Sequence, residues 1–406
     1  MSSRFTILQL ISRDAKIIIV SNSFRSFSAA VLAVSFPIYL SKMGASTVLI
    51  GLTFTGISLF SAIRSLIEGI VADRIGRKPI LLFVAMTLVV GGAVYVITSN
   101  LVILLVSAVL FTIGGTITYT PAELALLSEK VGAKDRTMAF SVNATLGTVA
   151  GILGSFAAAI PELLQRLGYP ELQTYQTIFI IFTVVGAICL VLFSLIKETR
   201  TEADPKGPVE PTVQDVDERR LLLKWSGVVA LDQIGGSFNN LLNYWYYLRF
   251  GVGPAEIGAL NGVMHLINSL SYALGLKMAE RFGTIRATVL SRVPVFTINC
   301  LTPFMPSFAI VSAARLFMSL FSNIDVPLRQ SYIMGVTRSR IRASAYGFVQ
   351  VVGRFTSSGA PAITGYLYEY VSLAVPFFGA ASFQFASAAS MYLLFKDIKP
   401  PEERVT

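Results

Sequence analysis

Long apolar runs alternate with short polar segments along almost the whole chain. A helix that spans a bilayer needs about 20 mostly apolar residues, which rise about 1.5 Å each. Twelve such runs can be delimited, and they are 15–40, 47–71, 79–98, 101–127, 137–160, 175–196, 222–248, 254–279, 286–305, 307–333, 342–366 and 372–395. The pattern therefore predicts an all-α integral membrane protein with twelve transmembrane helices.

One polar segment is longer than the others and separates the sixth apolar run from the seventh. It is dense in charge and proline, which is typical of a flexible linker. We expect a six-helix bundle over 1–196, a cytoplasmic linker over 197–221 and a second six-helix bundle over 222–406. The first residues lack the small-residue cleavage site of a signal peptide, so the first apolar run is expected to span the membrane.

Short sequence matches at a nearly constant offset of 206 or 207 residues relate the two halves. The matched pairs are 72–76 (ADRIG) with 279–283 (AERFG), 136–140 (RTMAF) with 342–346 (RASAY), and Pro121 with Pro327. Each match lies at the same place among the six spans of its own half. Because three matches share one offset, they indicate a duplication, and we expect two pseudo-symmetric bundles.

The composition agrees with a membrane protein. Charged residues make up 14% of the chain and hydrophobic residues 54%, whereas a globular domain carries roughly 25% charged residues. These values exclude a disordered chain, a collagen, a coiled coil and a disulfide scaffold. The two cysteines, Cys189 and Cys300, lie in apolar runs without CxxC spacing, so we expect buried small side chains.

The net charge of +10 could indicate a nucleic-acid partner. With both termini inside, however, 23 of the 33 Lys and Arg residues fall in cytoplasmic segments or at the cytoplasmic ends of spans, three in outer loops and seven elsewhere within spans. Lys and Arg accumulate in this way on the cytoplasmic side of membrane proteins. The charge distribution therefore predicts that both termini are cytoplasmic. We expect the protein to lie in the plasma membrane and to have no nucleic-acid partner.

The loop after the second span carries a distinctive motif. It reads Gly69-Ile-Val-Ala-Asp73-Arg74-Ile-Gly76-Arg77-Lys78. This resembles the signature of the major facilitator superfamily, Gly-x-x-x-Asp-Arg-x-Gly-Arg-Arg/Lys, and with twelve spans, a central linker and a second copy the resemblance covers the whole chain. It implies two six-helix bundles that transport a small molecule by alternating access, in the manner of bacterial or archaeal drug-efflux members.

The resemblance also implies a conformational lock near this loop. In the family, the motif's Asp and second Arg join an acidic residue low on span 4 in a cluster that locks the outward-facing state. The matching residues here are Asp73, Arg77 and Glu123. Arg74 and Lys78 are expected to anchor the cytoplasmic face, and Gly76 to allow a tight turn. The second copy keeps Glu280, Arg281 and Gly283 but has Thr284 in place of the second Arg.

Ionisable groups inside a membrane usually face a cavity or one another. Arg25 lies about ten residues into the first span, near the midplane, and its counterpart at offset 207 is Asp232. We expect these two to pair across a cavity in one state and to part when substrate or a proton binds. A permanent structural ion pair is the alternative.

Further polar residues within spans complete the set of substrate and coupling candidates. A spacing of four places Gln350 with Arg354 on one helical face, and the pairs Asp325–Arg329 and Arg64–Glu68 share that spacing but could equally form a cytoplasmic-side network. The candidates are Arg25, Asp232, Arg354, Gln350, Asn239, Asn240, Arg315, Asp325, Arg329, Glu68 and Arg64. His265, the only histidine, is either a proton relay or a satisfied polar group.

The sequence contains no ATP-binding motif, metal-ligand cluster or nucleophile–base set, so we expect a transporter without cofactor or metal rather than an enzyme. Uphill transport must then use an ion gradient, with Asp232, then Asp325 and Glu68, as the expected proton carriers. We expect a monomeric, proton-coupled transporter.

Two substrate classes remain open. One is the export of amphiphilic compounds. Against it, span 101–127 holds no Lys or Arg and no Pro follows Gly154, whereas drug exporters of the family usually carry an Arg and a Gly-Pro at these places. The other is transport of a small organic anion or metabolite. This class is favoured because two arginines but only one aspartate are expected near the midplane. A non-transporting receptor or a lipid scramblase on the same fold is an alternative of another class.

Overall fold

The computed structural model describes residues 12–114, 121–131, 136–197, 218–325, 328–329 and 342–396. Within these ranges the secondary structure is helical and no strand occurs. The helices are α1 Arg13–Lys42, α2 Thr47–Ile75, α3 Arg77–Ile97, α4 Leu101–Phe111, α5 Pro121–Glu129, α6 Arg136–Ala157, α7 Ile160–Arg166, α8 Glu171–Ser194, α9 Glu218–Ser237, α10 Leu242–Phe250, α11 Pro254–Phe282, α12 Thr284–Leu301, α13 Phe308–Ser322, α14 Arg342–Ser357, α15 Ala360–Tyr370 and α16 Val375–Phe395. The all-α prediction is confirmed.

Helical residues occur in each of the twelve expected spans. In the described part of the chain, six helical segments are individually long and apolar enough to cross a membrane: Arg13–Lys42, Thr47–Glu68, Arg77–Ile97, Met138–Arg166, Glu171–Ser194 and Val375–Phe395. Two more apolar helices, α4 and α13, are shorter.

Among the described residues, the expected span over 342–366 divides into α14 and α15, and two other expected spans contain breaks with distinct local conformations. The span expected over 101–127 breaks after α4, because Thr112 takes a left-handed conformation (φ 54°) and Gly114 follows at φ 80°. The span expected over 222–248 breaks at a 3-10 turn, Phe238–Leu241, between α9 and α10. Such unwound segments free backbone groups inside the membrane, and in transporters they commonly form binding sites.

The chain forms two compact units. The first comprises residues 1–45, 56–203 and 252–265, and the second comprises 46–55, 204–251 and 266–406. The change near residue 203 falls inside the expected linker. The starts of α2 and α11, which are 207 residues apart, each belong to the unit built mainly from the other half of the sequence, an exchange that the sequence pattern did not indicate.

The first unit is held by apolar helix packing. Helix α1 packs along α6 and α8, and α3 packs along α8. Cys189 is buried in a core with Leu81 and Phe193. The rings of Tyr95 and Phe179 stack with centroids 4.3 Å apart, and the Tyr95 hydroxyl donates to the Leu104 carbonyl oxygen, so this buried phenol is satisfied.

The second unit repeats this arrangement. Helix α9 packs along α14 and α16, and α12 packs along α16, which are the counterparts of the first unit's helix pairs. Trp225, Ile285 and Phe395 form part of its core. The expected duplication is therefore visible in the packing. Cys300, expected to be buried, is only partly so, because it lies near the end of α12.

Two glutamates 207 residues apart cap the starts of α2 and α11. The Val48 backbone N–H donates to Glu369 Oε2 at 2.8 Å within the second unit. The Ala255 backbone N–H donates to Glu162 Oε1 at 3.0 Å within the first unit. A carboxylate here satisfies an orphan donor and complements the positive end of the helix dipole. The duplicated sequence thus places the same cap in both units.

Candidate functional site

Four charged side chains form a closed network inside the second unit, which we call the charge square. Arg292 on α12 contacts Asp232 at 2.8 Å and Asp325 at 2.5 Å, and Arg329 contacts the same two carboxylates at 2.8 and 2.6 Å. Each arginine therefore bridges both acids, and the four charges sum to zero. Buried ions are tolerated when they are paired in this way.

The members of the charge square differ in their contact with solvent. Asp325 keeps only 1% of its side chain exposed, and its Oδ1 atom is buried without a hydrogen-bond partner. Asp232 on α9 keeps 12% exposed. Asp232 is therefore the more accessible of the two carboxylates.

A second network, the first-unit cluster, lies in the other unit. Arg25 on α1 contacts Glu123 on α5 at 2.8 Å, and both side chains are 1% exposed. On α2, Arg64 contacts Glu68 at 3.0 Å. The charges of Arg25 and Glu68 are close enough to interact. Like the charge square, this cluster holds two acids and two arginines.

Arg25 and Asp232, which we expect to pair in one state of the protein, each have a partner within their own unit in this structure. Glu123 pairs with Arg25, and Arg329 and Arg292 pair with Asp232. Glu123 and Arg329 are themselves 206 residues apart. The two units thus carry a salt bridge at equivalent positions with the charges exchanged.

The acidic partner of the loop motif also differs from the expectation. Arg77 forms its salt bridge with Glu129 rather than with Glu123. These two glutamates are six positions apart, so Glu129 lies about 9 Å nearer the end of α5. Glu123 is engaged by Arg25 instead.

The remaining motif residues have separate roles. Lys78 Nζ donates to the Ser194 carbonyl oxygen at 2.7 Å, and Arg74 is exposed. Gly76 has φ 98° and Gly283 has φ 79°, conformations that favour glycine at both helix junctions. The side chains at Gly69 and Asp73 lie outside the described residues. In the second copy Glu280 and Arg281 are exposed.

The remaining candidates lie on elements other than those that carry the charge square. Asn239 and Asn240 lie on the 3-10 turn between α9 and α10. Gln350 is half-buried on α14, whereas Arg354, four residues on, is exposed and has no described carboxylate within salt-bridge distance. His265 is exposed on α11.

Arg315 is buried in α13 within the second unit, where its Nη1 atom donates to Asn299 Oδ1 at 3.1 Å. Sequence reasoning did not select Arg292 as a candidate. Its position inside an expected span was a usable signal, but its partners are 60 and 33 residues away in sequence. Among the described residues, no three His, Cys, Asp or Glu side chains are grouped to hold a metal ion.

Solved transporter structures share this fold at low sequence identity. A D-xylose-proton symporter matches 95% of this chain and 97% of its own with a TM-score of 0.69 at 12% identity. A mutant of the nucleoside transporter NupG matches 95% of this chain and 100% of its own with a TM-score of 0.71 at 12% identity. A bacterial homolog of the human lysosomal transporter Spinster matches 94% of this chain and 96% of its own with a TM-score of 0.70 at 14% identity. These likenesses confirm the expected fold.

A curated relative and a family model extend the comparison to sequence. An uncharacterized membrane protein of Saccharomyces cerevisiae, YJR124C, is 23% identical over 397 residues, covering 88% of either chain. The model of the Major Facilitator Superfamily matches residues 18–238 and 225–406. The chain therefore belongs to the major facilitator superfamily, and it is a multi-pass membrane transporter rather than an enzyme.

Proposed function

We propose that this protein is a proton-coupled secondary transporter that moves a small organic anion by alternating access, as a monomer in the plasma membrane with both termini cytoplasmic. The observation that carries this proposal is Arg354. It lies near the middle of the paired helices α14 and α15, is exposed, and has no described carboxylate as a partner. An exposed cation at membrane depth supports recognition of a negative group.

The acids at membrane depth support the same substrate class. Glu68, Glu123, Asp232 and Asp325 each contact an arginine. A carrier of cations needs a carboxylate that is available to its substrate, whereas an anion carrier needs an available arginine. Among amphiphilic compounds, the other substrate class considered, cations are therefore the weaker candidates.

The charge square supports proton coupling. Its two acids and two arginines balance, so an added anion finds no net positive charge there. If Asp232 takes up a proton, its negative charge disappears and the square gains one positive charge. This gain favours an anion nearby, so that substrate and proton bind together. Asp232 is the more exposed carboxylate and is therefore the proposed proton acceptor.

Transport into proteoliposomes tests the proposal directly. The full-length protein is reconstituted and offered radiolabelled monocarboxylates, dicarboxylates, zwitterions and amphiphilic cations, with and without an inward proton gradient. We expect accumulation of an anion only with the gradient. Accumulation of a cation instead would refute the anion assignment, and gradient-independent uptake would refute proton coupling. No transport of any class would support a receptor or a scramblase.

Variants separate recognition from coupling. Arg354→Gln removes a charge-assisted contact worth about 1.5–3 kcal/mol, so we expect roughly 10- to 100-fold weaker apparent affinity, with partial recovery in Arg354→Lys. Arg249→Gln, which removes another exposed arginine, is the matched control and keeps wild-type affinity. Asp232→Asn is expected to abolish gradient-driven accumulation while substrate exchange continues. If Arg354→Gln transports like the control, the assignment of Arg354 is wrong.

A further inference from the structure

Arg315 is a buried cation whose charge no described acid balances. The side chain is 1% exposed. Its Nη1 atom donates to Asn299 Oδ1 at 3.1 Å, but Nε and Nη2 are buried without a hydrogen-bond partner. Arginine stays protonated in proteins, and an isolated charge in a low-dielectric interior is costly. Among the described residues, no negative group therefore compensates this charge.

The polar groups described around Arg315 carry no negative charge. The Tyr246 hydroxyl on α10 is buried without a partner and close enough to interact with the charge of Arg315. The only described oxygen that Arg315 contacts belongs to Asn299, whose amide nitrogen donates to Gln384 Oε1 at 2.9 Å and so fixes the orientation of the amide. Two guanidinium nitrogens without a partner thus lie near a phenol that can donate a hydrogen bond, and the described acceptors around them are neutral.

Aromatic side chains shield this place from water. The Arg315 guanidinium carbon lies 5.5 Å from the centre of the Phe377 ring. The same ring packs edge-on against Trp245, with centroids 4.8 Å apart. A cation–π contact stabilises one face of the guanidinium by about 0.5–2 kcal/mol but leaves its charge in place. An apolar wall with a few donors is suited to a small, weakly hydrated anion.

The first unit has no such group at the equivalent place. At offset 207 the counterpart of Tyr246 is Tyr39, which packs against Phe179 with ring centroids 5.0 Å apart. The counterpart of Arg315 is Ala108, which is fully buried. The duplicated fold can therefore fill this interior without a charge, whereas the second unit carries the charge of Arg315 there.

We propose that Arg315 and Tyr246 bind one small inorganic anion of the halide type inside the second unit. The anion accepts hydrogen bonds from Arg315 Nε or Nη2 and from the Tyr246 hydroxyl, and it neutralises the guanidinium. This site is separate from Arg354 and the charge square, and it stabilises the folded second unit whatever substrate the protein transports.

Chloride dependence of thermal unfolding tests the site. Purified full-length protein in detergent is titrated with sodium chloride against sodium gluconate at constant ionic strength and pH. A ligand that binds only the folded state raises the unfolding temperature in a saturable way. We expect such a rise, with bromide acting similarly. An unfolding temperature that is the same in chloride and gluconate would overturn the proposal, because water would then suffice to satisfy these groups.

Variants localise the effect. Arg315→Gln is expected to remove the chloride dependence, and Tyr246→Phe to raise the half-saturating chloride concentration several-fold. Arg249→Gln removes an exposed arginine and should respond like the wild type. If Arg315→Gln does not fold, Tyr246→Phe decides alone, because it keeps the charge and removes one donor. An unchanged chloride response in Tyr246→Phe would then refute the site.

Trp245 offers a direct readout. The chain has two tryptophans, so Trp225→Phe leaves Trp245 as the only indole, and its side chain is buried beside Phe377. Iodide bound at Arg315 should quench this fluorescence saturably at low concentration, and chloride should compete. Purely linear quenching, as collisions with solvent iodide give, would contradict a bound anion. Both measurements are independent of transport, so they can fail while the proposed function holds.

Discussion

The pair Arg25–Glu123 gives the sharpest test of how the first unit is held together. The two groups are 2.8 Å apart and each side chain is 1% exposed. Removing one partner of such a buried pair costs about 3–5 kcal/mol, because the cluster is left with an unbalanced buried charge. For a unit of this size each kcal/mol lowers the unfolding temperature by roughly 2–4 °C, so Glu123→Gln should lower it by roughly 6–20 °C.

The two single variants should differ from each other. In Glu123→Gln the arginine cannot lose its proton, so the full penalty stays. In Arg25→Gln the remaining carboxylic acid can take up a proton and become neutral, so its penalty should be smaller and should decrease as the pH falls. The double variant Arg25→Gln/Glu123→Gln leaves two neutral amides that can bond to each other. We expect it to recover most of the lost stability.

Labelling of the Cys189 thiol measures the unfolding of the first unit. This thiol is buried near this pair, whereas Cys300 is partly exposed. Because these are the two cysteines of the chain, a Cys300→Ser background leaves one thiol that a fluorogenic maleimide labels when the first unit unfolds. Glu171→Gln, which breaks the exposed contact with Lys42, is the control and should cost less than about 1 kcal/mol. The reasoning is refuted if the double variant is no more stable than Glu123→Gln.

Two further predictions concern helix ends and helix crossings. Glu369→Gln weakens the charged cap on α2, so the Val48 amide should exchange its hydrogen severalfold faster. Hydrogen-exchange mass spectrometry measures this rate. An unchanged rate would contradict the cap. Gly154→Ala should destabilise by about 1–3 kcal/mol in thermal unfolding, because its Cβ would overlap a backbone carbonyl oxygen of α1. Gly151→Ala on the same helix meets open space and should be neutral or slightly stabilising; equal losses in both would exclude the packing explanation.

The fold was predictable from the sequence because helices that span a membrane require long apolar runs, which are easily recognised. Twelve apolar runs and the repeated motif around Asp73 and Glu280 depend only on local sequence and on an internal offset. The breaks inside spans were not predicted, because an apolar run has the same composition whether its backbone is continuous or not. The left-handed residue at Thr112 is the kind of local conformation that hydropathy does not encode.

Partner choice among the buried charges was less predictable. Spacing of four correctly brought Arg64 to Glu68 and Asp325 to Arg329, since both contacts are made over one helical turn. Contacts between helices depend on how the helices pack, and sequence spacing carries no information about those distances. Arg292 was therefore not selected, although it contacts both acids of the charge square.

The charges are exchanged between equivalent positions of the two units. Arg25 pairs with Glu123 in the first unit, and Asp232 pairs with Arg329 and Arg292 in the second. Pairing within each unit leaves both clusters neutral, which is how buried ions are tolerated. In the proposed transport cycle, the coupling proton acts by unbalancing one neutral cluster. Asp232, the more exposed acid of the charge square, is therefore where we expect pH dependence to arise.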